Sequence, residues 1–228
     1  MNVRWSKAGT RHRKEGLENQ DVVLQGSTGR FEVVALADGV SSCREAKKGA
    51  EIACGAILDL LLQKGEYFWK FEQKKRAELI VEHVFYKLKE AAEKNGVAVE
   101  ELSSTLAAVL LDKQTKQLLY FNLGDGMLLA VRPECCKILF VPADSAEGCP
   151  VTTTRGAASV VQTEVLDASA LQSVVLCSDG AWQLMFKQGR LKAECAGLLQ
   201  GASFTQLGQY LDEQEGMDDY SFIVMEIN

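Results

Sequence analysis

The sequence predicts an α+β protein, with two sheets packed together and helices outside them. Three observations lead there. Short β-rich runs cluster together and long helical stretches fall in separate blocks, where a βαβ protein would alternate them. Several of the runs are apolar on both faces, as strands covered on both sides must be. The composition is globular: 228 residues, 47% hydrophobic and 25% charged, close to folded averages. A chain this long buries about 70% of its unfolded surface, so it needs no disulfide or metal staple to build a core.

The elements follow in order. VVLQ (22–25) and FEVVALA (31–37) read as the first strands. Ala46, Ala50, Ala53, Ile57 and Leu60 fall at helical spacing, and Ile80, Val84, Leu88 and Ala91 repeat the pattern. TLAAVLL (105–111), QLLYFNL (117–123), MLLAVR (127–132) and KILFV (137–141) are joined by short polar connections, as in an antiparallel meander. SVVQTEVL (159–166) and SVVLCS (173–178) come next, and Trp182 is expected to pack the start of a short helix. A late helical pair carries Leu191, Cys195, Leu198 and Leu199, then Leu207, Tyr210 and Leu211, before a last strand, YSFIVMEI (220–227). The chain has 3 prolines, no Gly/Ser linker and no internal repeat, so one domain over 1–228 is expected.

The formal net charge of −6 argues against binding nucleic acid by phosphate neutralisation. No apolar run reaches the ~20 residues of a membrane span, and MNVRWSKAGTRHRKEG lacks the apolar core of a signal peptide. A cytoplasmic protein without membrane attachment is expected. The 7 cysteines are scattered, no CxxC occurs and there are only 2 histidines, which speaks against a zinc site and for reduced thiols. His83, in a polar stretch of the second long helix, reads as a surface or boundary residue.

The informative pattern is the placement of aspartate. VVALADG ends a strand in Asp38 and Gly39, LLYFNLGDG ends one in Asp125, and SVVLCSDG ends one in Asp179. Asp218 and Asp219 precede the last strand, and Asp21 in ENQD precedes the first. Singly, each Asp-Gly is an ordinary turn. Five such sites converging at one sheet edge would repel one another unless a cation neutralised them. An all-oxygen set indicates magnesium or manganese. A glycine beside such an aspartate lets its backbone carbonyl approach the ion.

In their order and spacing, ENQD, ALADG, SSTLAAVLL, NLGDG, CSDG and DDYSFIV resemble the type 2C protein phosphatases, metal-dependent enzymes acting on phosphoserine and phosphothreonine. The resemblance spans residues 9 to 226, and GTRHRKEGLENQD with DGVSSCREAKKGA looks most like a compact bacterial subgroup. It implies a four-layer α-β-β-α sandwich, two antiparallel sheets flanked by helices. It also implies two Mn2+ or Mg2+ ions, bridged by Asp38. Gly39 would bind the second ion, Asp179 and Asp218 the first, and Asp21 the metal-bound waters. Asp125, with Asp179, would form a third, weaker site. A water between two such ions becomes hydroxide-like and can attack phosphorus in line. The chain has no GxSxG or GxxxxGK motif, and this chemistry needs neither. A phosphoprotein substrate, a partner Ser/Thr kinase system and a monomeric state are the corresponding expectations.

The chain also departs from the family. The arginine that usually grips phosphate stands five residues before the first aspartate, and that position is Gly16 here. His12 is the candidate replacement, with Arg11, Arg13 and Lys14 beside it; the alternative is a solvated basic strip. The histidine that animal members carry after the DG is Val40 here. DNxT becomes DDYS, so Asp219 adds a negative charge bearing on metal preference. The competing functions are an inactive binding domain of the same fold and a small-phosphoester hydrolase.

Overall fold

The computed structural model describes residues 3–140 and 148–227. The described elements run β1 (Val3–Lys7), α1 (Thr10–Glu15), β2 (Asp21–Ser27), β3 (Phe31–Asp38), α2 (Ala46–Phe68) and α3 (Gln73–Asn95). There follow β4 (Leu106–Asp112), β5 (Gln117–Leu123), β6 (Met127–Val131), β7 (Cys136–Phe140), β8 (Gln162–Asp167) and β9 (Ser173–Cys177). The chain continues with α4 (Asp179–Met185), β10 (Phe186–Lys187), β11 (Arg190–Leu191), α5 (Ala193–Gln200), α6 (Phe204–Asp212) and β12 (Tyr220–Glu226). One sheet has the order β1-β12-β9-β6-β7, the other β2-β3-β4-β5-β8, and every pairing in both is antiparallel.

Alternating residues explain the doubly apolar strands. Val33, Ala35 and Ala37 of β3 face one apolar cluster with Ala50, Ala53 and Ile57 of α2 and Ile80, Val84 and Leu88 of α3. Val34 and Leu36 face a second cluster between the sheets, with Val174 and Leu176 of β9 and Ile223 and Met225 of β12. Val175, Cys177, Phe222 and Val224 face a third, with Leu199 of α5 and Leu207 and Leu211 of α6. Three apolar interfaces make four layers, α-β-β-α. Among the described residues no helix is long and apolar enough to cross a membrane, and all 7 cysteines are free thiols.

The structure corrects several local readings. Leu60 on α2 and Ala91 on α3 pack against the core but only half-buried, beside the buried Leu61 and Ala92. Leu191 lies in β11, outside the helix that follows it. The strand read from residue 159 starts at Gln162, after a 3-10 turn at Ala157–Ser159. Val141, expected in β7, lies outside the described residues. The meander breaks after β5, because β6 pairs with β7 and β9 in the other sheet. Gly124, at φ 123°, makes that crossing in backbone geometry that side-chain-bearing residues rarely adopt. β1 was missed: VRWSK is an edge strand with an exposed, charged face, so it lacks an apolar run.

Candidate metal centre

Antiparallel pairing brings the aspartates together. In one sheet Asp21 and Asp38 are register partners, at the start of β2 and the end of β3. In the other, Cys177 pairs with Phe222 and with Met127. The turn after β9, which carries Asp179, therefore lies beside the approach to β12, with Asp218 and Asp219, and the approach to β6, with Asp125. Trp182 of α4 confirms that closeness, donating from Nε1 to the Asp125 carbonyl at 2.9 Å.

Asp38 and Asp21 are held through their backbone, and Asp179 through its carboxylate. Thr105 Oγ1 accepts from Asp38 N at 3.0 Å, and Thr105 N donates to Asp38 O at 2.8 Å. Asn19 Oδ1 accepts from Asp21 N at 2.9 Å, and Lys47 Nζ donates to the Asp21 carbonyl at 2.7 Å. Asp179 Oδ1 accepts from Gly180 N at 2.5 Å, and Gln183 Nε2 donates to Asp179 Oδ2 at 3.3 Å. Gly39 packs so closely on the first turn of α2 that a Cβ would stand 2.9 Å from Ala46 backbone atoms.

The electrostatics show the crowding of negative charge. Burial, then repulsion from Asp21 and Asp179, a hydrogen bond with the Asp179 carboxyl and repulsion from Asp218 hold the Asp38 carboxyl well above the usual range. Burial pushes Asp21 up to about 7, opposed by nearby Ser221 and Ser178 hydroxyls and reinforced by Asp219 and Asp179. Burial and Asp125 push Asp179 up to about 6.

Both Asp21 carboxylate oxygens are buried without a well-formed hydrogen bond. Buried acceptors are rarely left so, and a hard cation with its waters is the partner that suits them. The donor set therefore fits a divalent ion. Among the described residues no three acidic, histidine or cysteine side chains stand close enough together to cage a metal ion. A cage is not required for magnesium-like ions, which keep several waters.

His12, the candidate for gripping phosphate, turns inward: its side chain is 3% exposed and its Nδ1 lies 2.9 Å from Asp219 Oδ2, while its Nε2 is buried without a hydrogen-bond partner. The basic strip is the helix α1, whose neighbours Arg11, Arg13 and Lys14 are exposed while His12 turns inward. Gly16 closes that helix in the left-handed conformation, φ 69°, which an arginine would adopt only under strain. Asp219 is buried and its carboxylate oxygens meet Gly9 N, Gln20 N and His12 Nδ1, yet its charge still acts on the centre by raising Asp21. Thr105, Lys47 and Asp219 were missed as supports. Asp219 alone carried a signal, its place beside Asp218.

Residues 8–215 match the family model described as Protein phosphatase 2C. The chain belongs to the protein phosphatase 2C family. Family membership makes it a hydrolase of the protein serine/threonine phosphatase class. The match ends before Asp218, whose place beside Asp179 follows from the β9–β12 pairing. No curated protein matches the sequence. Among solved structures, the serine/threonine phosphatase Stp1 from Staphylococcus aureus superposes with a TM-score of 0.74 at 14% identity, covering 100% of this chain and 94% of that one. The catalytic domain of the serine threonine protein phosphatase PstP, solved in complex with 2 manganese ions, gives 0.67 at 15%, covering 99% and 97%. RsbX in complex with magnesium gives 0.59 at 15%, covering 98% and 92%. At such identities the likeness speaks for the phosphatase 2C fold.

Proposed function

We propose that this protein phosphatase 2C chain is a single-domain, monomeric, cytoplasmic enzyme that removes phosphate from phosphoserine and phosphothreonine in proteins, opposing a Ser/Thr kinase. The observation that carries the reading is the mutually repelling set of buried Asp21 and half-buried Asp38 and Asp179, with Asp21 oxygens that lack a well-formed hydrogen bond and that a cation would satisfy. Solved relatives of the same fold hold manganese or magnesium, which suits this donor set. When bound, two Mn2+ or Mg2+ ions supply an activated water and neutralise the phosphoryl oxygens.

The chain's own residues divide the remaining work. Asp38 would hold both ions and the Gly39 carbonyl the second. Asp179 and Asp218 would hold the first ion, and Asp21 would orient its waters. Asp125 would share a third, weaker site with Asp179. Thr105 and Asn19 keep Asp38 and Asp21 aimed by holding their backbone. The full aspartate set favours an active enzyme over an inactive binding domain.

The test is manganese-dependent hydrolysis of a generic aryl phosphate, followed by phosphothreonine and phosphotyrosine peptides. Turnover should vanish in chelator, return with manganese and favour phosphothreonine. Full turnover in excess chelator would falsify the reading.

A further inference from the structure

Asp219 is joined to three separate parts of the chain. Its Oδ1 accepts from Gly9 N at 2.8 Å, and its Oδ2 accepts from Gln20 N at 2.6 Å and pairs with His12 Nδ1 at 2.9 Å. Its own N donates to Asp218 Oδ1 at 3.0 Å. The Asp219 and His12 side chains are 2% and 3% exposed. The surrounding backbone is laced as tightly: Thr10 N donates to Gly216 O at 2.9 Å and Arg11 N to Met217 O at 3.1 Å. A Cβ on Gly9 would run into the Asp218 backbone, and one on Gly180 into the Asp219 carbonyl.

The Asp219 carboxylate thus fixes the residue before Asp21, and the backbone N–H of the same residue holds the Asp218 carboxylate. These two aspartates come from opposite ends of the sequence, Asp21 from the start of β2 and Asp218 from the approach to β12 in the other sheet. Charge-assisted hydrogen bonds to a buried carboxylate are short and directional, and groups that orient metal ligands govern affinity nearly as much as the ligands do. We propose that Asp219 is a positioning residue for the metal centre, with His12 as its buried hydrogen-bond partner. The pair locks Asp21 and Asp218 into one arrangement and so sets metal affinity. The inference rests on the metal-dependent reading above, and it gives His12 a role without contact to phosphate.

The geometry separates the useful substitutions. Asparagine at 219 has one oxygen where the carboxylate has two, so Asp219→Asn leaves either Gly9 N or Gln20 N facing an amide donor. Asparagine at 12 keeps a side-chain donor near the place of Nδ1, whereas alanine removes it. The measurement is the Kd for Mn2+ alone, by electron paramagnetic resonance on folded protein well below its melting temperature, beside kcat and KM for an aryl phosphate.

Asp219→Asn and His12→Ala should raise the Mn2+ Kd about 10- to 100-fold, and His12→Asn should restore most of it. A folded Asp219→Asn protein with wild-type Mn2+ Kd overturns the inference. So does a His12→Ala protein whose KM for phosphate ester rises while its Mn2+ Kd stays unchanged, since that is a phosphate-contacting histidine. If Asp219→Asn does not fold, the comparison of His12→Ala with His12→Asn decides the matter in the same way. Wild-type protein that binds no Mn2+ removes the metal-dependent reading itself, and this inference with it.

Discussion

Asp21, buried, and Asp38, half-buried, sit opposite each other on neighbouring antiparallel strands, two acidic residues paired across one ladder. Like charges directly opposite destabilise a sheet. Burial above all, and for Asp38 the repulsion from Asp21, hold these carboxyl groups above the usual range.

The first prediction concerns pH. Asp21 is raised from 3.8 to about 7 and Asp179 from 3.8 to about 6. A raised carboxyl favours the folded state while it is protonated, so in metal-free protein this stability is present below about pH 4 and lost as pH rises to about 7. Mn2+ needs the ionised form and should reverse the slope between those values. Melting temperatures in chelator and in Mn2+ across that range test it; parallel curves would refute it.

Asp38→Asn should lower kcat at least about 10²- to 10³-fold, the scale of losing one preorganised electrostatic group, and weaken Mn2+ binding. Asp218→Ala should also cost a large factor in turnover, yet the metal-free chain should melt no lower than wild type. Removing one carboxylate relieves its repulsion on Asp38 and Asp179. Calorimetry in chelator decides: a large fall in melting temperature would give Asp218 a structural role.

Gly180→Ala probes the same corner by sterics. A Cβ there would meet the Asp219 carbonyl, so the turn after β9 or the approach to β12 must shift. Since Asp179 and Asp218 flank that contact, manganese affinity and kcat should fall together. A control at Gly197, where a Cβ meets nothing within 4 Å, should leave both unchanged. Wild-type turnover in Gly180→Ala would mean the corner adapts freely.

At the opposite end of β4, Arg30 Nη2 and Nε donate to Asp112 Oδ2 at 2.7 and 2.9 Å, and Asp112 Oδ1 accepts from Gln114 N at 3.0 Å. Burial would raise the Asp112 carboxyl, but the Arg30 hydrogen bond and the Gln114 and Thr115 amides outweigh it, so the net shift is downward. A lowered carboxyl stabilises above its ordinary 3.8, and that stability is lost as pH falls below it. Asp112→Asn should lower stability by about 1–2 kcal/mol at pH 6, with the gap closing toward pH 3. Urea midpoints at the two pH values check this, and a gap that widens in acid would contradict it.

Much of the fold was legible because its signals are local. FEVVALA is apolar at every position except Glu32, so β3 had to be covered on both faces, and the clusters on its two sides bear that out. Ala50, Ala53 and Ile57 announced the buried stripe of α2. The edge strand β1 and the crossing after β5 were not legible. An edge strand pairs through its backbone on one side only, and the choice of sheet at Gly124 depends on which strands are already neighbours.

The sequence by itself determined where apolar strands stop and acidic turns begin, and hence the chemical type of the centre. Apolar alternation and Asp-Gly turns act over a few residues and need no distant partner. Only the tertiary structure decided which turns meet and what holds them. The antiparallel pairing of β9 with β12 sets the Asp179 turn beside Asp218. The partner of Asp219 is His12, 207 residues away. That pairing depends on a buried carboxylate finding donors wherever the packed chain puts them, and neither residue's neighbours in sequence record the choice.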